Sequence, residues 1–121
     1  MIGQMDIDKV NKGNVTTVHN AISATATSAA IDCRGKNGLL MQVEFSAASN
    51  WTFKIQGSLT QHGTYADWYE QANTGVMKVM SYQTNASKGF TFKGVPDWVK
   101  IVATEDVDGA TVTVKAQPIN L

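Results

Sequence analysis

Hydrophobic and polar side chains alternate along several short segments of the chain. Every second residue of the segments 39–45, 51–55 and 112–116 is apolar, and most of the residues between them are polar. Because successive side chains of a β-strand point to opposite faces, this period of two predicts strands that turn one face toward a hydrophobic core.

Further strand candidates lie between and around these segments. Residue types that favour strands are concentrated at 15–18, 65–69, 76–82, 90–92 and 98–104, and Gly, Asn and Asp punctuate the chain between them. No segment keeps a period of 3.6 residues long enough to predict a helix. Closely spaced strands separated by turn residues are typical of sandwiches and barrels. The sequence therefore predicts an all-β fold, a single antiparallel β-sandwich or jelly-roll.

Two local signals concern the C-terminal part of the chain, a turn and a proline. Residues 106–109 read Asp-Val-Asp-Gly, which favours a hairpin turn between the last two strands. Pro118 cannot donate a backbone hydrogen bond, so we expect it to lie outside the sheet.

The first residues of the chain differ from the rest. Residues 1–13 are polar, contain two glycines and have no regular apolar period, whereas the strand signals begin at residue 14. We therefore predict an N-terminal arm at 1–13 and a β-sandwich domain at 14–121. The arm still carries four apolar side chains, which we predict to anchor it on another protein chain: Ile2, Met5, Ile7 and Val10.

Composition and charge narrow the possible partners. The 121 residues are 43% hydrophobic and 17% charged, with a formal net charge of zero. This composition is typical of a folded domain. Because the sequence has no cluster of basic residues, nucleic-acid binding has no electrostatic support. The apolar runs are too short to span a membrane, and the first residues do not form a signal peptide pattern. A weakly charged protein is poorly protected against self-association, which favours a homo-oligomer.

Catalytic and metal-binding patterns are missing from the sequence. Ser, His and Asp occur, but without a nucleophile-elbow pattern. His19 and His62 have no second ligand at metal-binding spacing, and the acidic residues near 106 lack the rest of a calcium loop. Cys33, the single cysteine, is interpreted as a buried apolar residue. We therefore expect no enzyme activity, no cofactor and no metal.

Aromatic residues supply the strongest candidate for a contact surface. Tyr65, Trp68 and Tyr69 lie in one short strand candidate. Neighbours in a strand point to opposite faces, so Trp68 and Tyr69 cannot both lie in the core. These three residues are predicted to form an interface. The alternative is a platform on which sugars stack, formed by the aromatic residues Trp51, Tyr65, Trp68, Tyr69, Tyr82 and Trp98.

Several segments of the chain resemble small β-sandwich virion proteins of tailed bacteriophages, of the capsid decoration (cement) or head-fibre type. The resemblance lies in Ile-Asp-Cys-Arg-Gly at 31–35 and in four further segments: Trp-Thr-Phe-Lys-Ile-Gln-Gly-Ser at 51–58, Gly-Thr-Tyr-Ala-Asp-Trp-Tyr at 63–69, Trp-Val-Lys-Ile at 98–101 and Ala-Thr-Val-Thr-Val at 110–114. The alternation of strands with Gly-Ser and Gly-Thr-Tyr is also similar to discoidin-type sandwiches.

The resemblance implies a structural role in a virus particle. It implies a capsid decoration (cement) protein, a head-fibre base or a tail-side sandwich. Our first hypothesis is a capsid decoration protein that is made in the host cytoplasm, binds the outer surface of the shell of major capsid protein and stabilises it. Expected partners are the major capsid protein and further copies of the chain, as a dimer or trimer. The alternative is a carbohydrate-binding sandwich module of a head fibre or tail, which needs exposed aromatic rings.

Overall fold

The computed structural model describes residues 12–71 and 75–121, and the regular secondary structure in these two ranges is entirely β. No helix in them is long and apolar enough to cross a membrane. The strands are β1 (Thr16–Ile22), β2 (Ala26–Thr27), β3 (Ile31–Asp32), β4 (Gly38–Phe45), β5 (Trp51–Ser58), β6 (Ala66–Asp67), β7 (Tyr69–Gln71), β8 (Met77–Val79), β9 (Ser81–Thr84), β10 (Lys88–Lys93), β11 (Trp98–Ala103) and β12 (Val112–Ile119).

Two antiparallel sheets form the body of the protein. The first sheet has four strands in the order β1-β12-β4-β10. The second sheet has six strands in the order β2-β11-β5-β6, with β3 also paired to β11 and β9 also paired to β5. Among the described residues, strands β7 and β8 pair only with each other. The predicted all-β antiparallel sandwich is confirmed.

The alternating segments of the sequence face the space between the two sheets. Apolar side chains of β4 and β12 from the first sheet meet those of β5 and β11 from the second sheet, and burying each one stabilises the fold by about 1.5–3 kcal/mol. Fully buried members of this core include Leu39, Val43, Trp51, Phe53, Ile55, Val99, Ile101, Val112 and Val114. The period of two along the chain therefore identified the core correctly.

Aromatic rings join the two sheets around Phe53. Its ring stacks on Trp51 at 4.7 Å between centroids and lies 5.6 Å from Tyr82, and both of these residues also belong to the second sheet. Across the core, Phe90 and Phe92 of the first sheet lie 5.5 and 6.4 Å from Phe53 in edge-on orientation. Phe53 thus contacts four aromatic rings and is itself fully buried.

His19 ties the first sheet to the second. It is buried in β1, and its Nε2 donates a hydrogen bond of 2.8 Å to the carbonyl oxygen of Ile101 in β11. The imidazole also stands edge-on to the Trp51 ring at 6.3 Å. His19 is therefore a structural residue that links the two sheets.

Acid is expected to destabilise the fold through His19. Burial lowers the pKa of its imidazole below the ordinary 6.5, and the hydrogen bond to Ile101 only partly opposes this. The unfolded chain then binds a proton at this residue more readily than the folded chain. The free energy of unfolding is therefore retained above about pH 6.5 and falls as the pH drops below it.

Thermal melts between about pH 7 and pH 5 test this dependence. We expect the melting temperature to fall toward pH 5 in the wild type, and to fall less in His19→Gln, which keeps a side-chain donor but does not titrate. His62→Gln, at an exposed position, is the control and should behave as the wild type. An unchanged slope in His19→Gln would contradict the prediction.

Cys33 is fully buried, which confirms its interpretation as an apolar core residue. Burial, and after it the charges of Asp32 and Asp97, raises the pKa of the Cys33 thiol to about 12. Because the thiolate is the reactive form, we expect this cysteine to react slowly with thiol reagents in the folded protein and quickly in denaturant.

The hairpin predicted at residues 106–109 is wrong. Strands β11 and β12 belong to different sheets, so the loop between them crosses the sandwich. Val107 is buried in the core, and its backbone N–H donates to the carbonyl of Ser23 at 2.7 Å. The Asp-Gly pair does provide a bend, with Gly109 at φ 70°. The buried Val107, however, directs the chain to the other sheet.

The position predicted for Pro118 is also wrong, because β12 continues through it to Ile119. Pro118 stands opposite Leu39 of β4, while its carbonyl oxygen accepts a hydrogen bond of 2.6 Å from Gly13 N. The backbone N and O of a strand residue point to the same side. The nitrogen of Pro118 therefore faces away from β4, and its missing N–H removes no hydrogen bond from that strand pair.

Candidate functional site

A hairpin interrupts one edge of the second sheet. Strand β6 pairs with the end of β5, and the N–H of the next residue, Trp68, still donates to Ile55 of β5 at 3.1 Å. The chain then leaves the sheet and returns at Met80, whose carbonyl accepts from the N–H of Ile55 at 2.8 Å. Strand β9 continues along the remainder of β5. Strands β7 and β8 therefore form a hairpin that projects from the sheet edge at Ile55.

This arrangement divides two strands that the sequence predicted to be continuous. The segment 65–69 breaks at Trp68, and the segment 76–82 breaks at Met80. Both breaks occur at the base of the hairpin, where Met80 N donates to Trp68 O at 2.8 Å.

The base of the hairpin is anchored in the core. Met80 is 1% exposed, and the half-buried Trp68 packs against the core cluster. The Trp68 ring lies over Gly57 of β5, where a Cβ atom would come within 2.8 Å of ring atom Cε3 and would overlap the ring of Pro96. The close approach of Trp68 to β5 therefore requires a glycine at position 57.

The two faces of the hairpin have different chemistry. Tyr69 pairs with Val79 and Glu70 pairs with Lys78, so Tyr69, Met77 and Val79 share one face and the charged pair occupies the other. Glu70 accepts a hydrogen bond of 2.7 Å from the hydroxyl of Tyr82, which turns the charged face toward the body of the sandwich. Burial and this carboxylate together raise the pKa of Tyr82.

Three apolar side chains of the hairpin are exposed to solvent: Tyr69 and Met77 on the face opposite Glu70 and Lys78, and Val76 just before β8. Tyr69 is 53%, Val76 67% and Met77 56% exposed. We call these three residues the hairpin patch. Because large apolar side chains on a projecting element are costly to leave in water, several of them on one hairpin are typical of a surface that contacts another molecule.

The three aromatic residues predicted to form one interface lie in three different environments. Trp68 anchors the hairpin in the core, and only Tyr69 belongs to the hairpin patch. The Tyr65 hydroxyl donates to Gln61 O at 2.8 Å, and the ammonium of Lys100 lies 4.1 Å from the centroid of its ring. Tyr65 therefore belongs to a separate surface, on the outer face of the second sheet.

Charged and polar groups cover the sheet near Tyr65. Asp67 accepts a hydrogen bond from Gln56 Nε2 at 3.1 Å and lies 3.0 Å from Lys54 Nζ. The hydrogen bond from Gln56 is the largest cause that lowers the pKa of the Asp67 carboxyl, and the interaction with Lys54 lowers it further. Such a hydrogen-bonded polar face is suited to solvent and gives little reason to expect an apolar partner there.

The tryptophans do not form a platform for sugars. Trp51 is fully buried, and Trp98 is 7% exposed beneath the guanidinium of Arg34, which lies 4.7 Å from its ring centroid. With Trp68 at the hairpin base, each of the three indoles packs against protein.

The described residues bring no metal-binding cluster together. No group of three or more His, Cys, Asp or Glu side chains within them could hold an ion. The acidic residues near the crossing loop are partly used in its structure, since Asp106 Oδ1 accepts from Thr25 N at 3.1 Å.

The four apolar residues predicted to anchor the arm, Ile2, Met5, Ile7 and Val10, lie outside the described residues. The last two positions of the predicted arm lie against β12: Lys12 pairs with Ile119, and Gly13 bonds to Pro118 as described above. The role of the four apolar residues at an interface stays a prediction.

The sequence analysis did not identify Val76 and Met77 as candidate contact residues. A signal was present, because apolar residues occupy both faces of a strand in Val-Met-Lys-Val-Met at 76–80. A strand that is apolar on both faces either lies between two layers or exposes one face.

Two solved structures share this fold. SPBc2 prophage-derived protein YomS is 17% identical with a TM-score of 0.64, over 91% of this chain and 94% of YomS. PBSX exported protein XepA is also 17% identical, with a TM-score of 0.66, over 90% of this chain but only 38% of XepA. No family model and no curated protein matches the chain.

These likenesses concern the fold. The chain is a β-sandwich with the fold of YomS, in which one such sandwich accounts for almost the whole chain. The resemblance to phage sandwiches seen in the sequence is thereby confirmed for the fold.

Proposed function

We propose that this protein is a bacteriophage virion structural protein, a capsid decoration protein that binds the outer surface of the major capsid protein shell and stabilises it. The observation that carries the proposal is the hairpin patch. It places Tyr69, Val76 and Met77 on a projecting hairpin whose base is fixed in the core by Trp68 and Met80.

A fixed hairpin is well suited to contact a seam between capsid subunits. Because its base is already ordered, little conformational entropy is lost when the patch is covered. Covering a large apolar side chain contributes about 1.5–3 kcal/mol, so two or three such residues can dominate the affinity of a contact. The role is non-catalytic and needs no cofactor.

Binding of this kind stabilises the shell by mass action. A protein that binds the assembled shell but not its separated subunits shifts the equilibrium toward the shell. The prophage origin of YomS, and the PBSX origin of XepA, support a role in a phage particle. Trp51 and Trp98 are buried and the half-buried Trp68 packs against the core, which weakens support for the alternative, a carbohydrate-binding module. Tyr69 remains its best candidate contact.

The experiment mixes purified protein with shells assembled from the major capsid protein of the same phage. Co-sedimentation measures binding, and thermal melting of the shells measures stabilisation. We expect the wild type to bind and to raise the melting temperature of the shells. The double variant Tyr69→Ser, Met77→Ser should bind at least about tenfold more weakly because two apolar contacts are lost.

Leu59→Ser is the matched control, because Leu59 is 71% exposed but lies outside the hairpin. It should bind as the wild type does. Failure of the wild type to bind shells would overturn the decoration proposal, and equal binding by the double variant would overturn the role of the hairpin patch. A glycan-array signal that Tyr69→Ser abolishes would favour the carbohydrate-binding alternative.

A further inference from the structure

Strand β10 is a regular edge of the first sheet. It pairs with β4 over six consecutive residues without a register shift, and among the described residues no strand pairs with its other side. The opposite edge, β1, has two register shifts and holds Ala21 at φ 51°. Bulges and irregular backbone of this kind discourage pairing with another chain, and β10 lacks them.

The free backbone groups of β10 can be assigned from its register. Gly94, just beyond the strand, donates its N–H toward β4, to Asn37 O at 2.7 Å. Alternate residues of a strand direct their N–H and C=O to opposite sides. The backbone groups of Gly89, Thr91 and Lys93 therefore point away from β4, and all three residues are exposed.

The sequence of this edge is complementary to itself. Residues 88–94 read Lys-Gly-Phe-Thr-Phe-Lys-Gly. When two copies run antiparallel about a two-fold axis at Thr91, Thr91 meets Thr91 and Phe90 meets Phe92. Each lysine then meets a glycine: Lys93 stands opposite Gly89, and Lys88 stands opposite Gly94.

We propose that β10 is the interface of a symmetric homodimer, in which two copies pair through this edge in the register centred on Thr91. The two four-stranded sheets then join into one continuous sheet across the dimer axis. The proposal goes beyond capsid binding and does not depend on it.

This register satisfies the free backbone groups. The residues whose N–H and C=O point outward, at 89, 91 and 93, fall opposite one another and form hydrogen-bonded pairs. A two-fold axis at Phe90 would instead place Lys93 opposite Ser87, which lies outside the strand. The register at Thr91 therefore uses the whole strand.

The side chains also favour this register. Phe90 and Phe92 form the closely spaced, non-hydrogen-bonded pairs, which suits contact between aromatic rings. Phe90 is half-buried in one copy, so pairing covers its remaining surface. On the outer face, a groove of about 530 Å³ lies beside Gly89, with room for the alkyl stem of Lys93 from the second copy.

A cysteine at the two-fold axis tests the interface directly. Hydrogen-bonded partners in an antiparallel pair have Cα atoms about 5.5 Å apart, which is within the range of a disulfide. Thr91→Cys should therefore form a disulfide-linked dimer under mild oxidation. The wild type should not, because Cys33 is fully buried. Thr27→Cys, exposed on β2 of the second sheet, is the matched control and should remain unlinked.

Sedimentation of Thr91→Pro gives a second, independent measurement. Proline removes an N–H that points away from β4, so the fold of the single copy keeps its hydrogen bonds to β4. We expect the wild type to be a dimer and the variant to dimerise about tenfold to a hundredfold more weakly. A wild type that is monomeric at millimolar concentration, or a dimer that Thr91→Pro does not weaken, would overturn the proposal. So would absence of the Thr91→Cys cross-link, whatever the outcome of the shell-binding experiment.

Discussion

Replacing Phe53 by alanine is expected to lower the free energy of unfolding by about 3–5 kcal/mol, which is a large part of the stability of a domain of this size. The side chain is fully buried and contacts Trp51, Tyr82, Phe90 and Phe92, so its removal leaves a cavity between the two sheets. Rings held from both sheets cannot all move inward to fill that space.

Urea denaturation followed by intrinsic fluorescence measures this effect. Phe53→Leu keeps an apolar group in the same place and is the graded control, with a smaller expected loss. Tyr69→Ala removes an aromatic ring that is already 53% exposed and should cost far less. A loss below about 1 kcal/mol for Phe53→Ala would mean that the aromatic cluster is not a main source of stability.

Gly57→Ala is expected to destabilise the protein by about 1–3 kcal/mol and to displace the hairpin. A Cβ atom at this position would overlap the Pro96 ring and approach Trp68 Cε3 to 2.8 Å. Neither ring is the free end of a flexible side chain, so the strain must shift the backbone of β5 or move Trp68 away from it. Since Trp68 begins the hairpin, the hairpin patch should lose its fixed position as well.

Gly89→Ala is the matched control for this substitution. Gly89 is also a strand glycine, but a Cβ atom on it would have Met41 O as its nearest neighbour, at 4.0 Å, so alanine fits there. At low protein concentration, where the proposed β10 dimer is dissociated, the stability of Gly89→Ala should remain within about 0.5 kcal/mol of the wild type. Equal stabilities for Gly57→Ala and Gly89→Ala, together with an unchanged tryptophan emission spectrum, would show that Trp68 is not held against β5 in this way.

The hairpin at the candidate site interrupts two segments that were predicted to be continuous strands. This interruption could not be predicted from the local alternation of apolar and polar residues. Tyr65, Trp68 and Tyr69 were grouped because they are close in sequence, and the alternation rule correctly required Trp68 and Tyr69 to differ in burial. The rule could not show that the chain leaves the sheet at Trp68. That break depends on the space over Gly57 and on the hydrogen bonds that Trp68 and Met80 make to Ile55.

The sequence by itself determined the fold class and most of the core, because alternation of apolar residues is a local property of each strand. Leu39, Trp51, Phe53 and Val112 could be placed in the core from their neighbours alone. Tertiary structure alone decided which strands pair and where the chain crosses between sheets. The Asp-Gly bend is compatible with a hairpin or a crossing, and the buried Val107 selects the crossing. Likewise Pro118 is accepted in β12 only because its nitrogen faces away from β4, a direction fixed by partners distant in sequence.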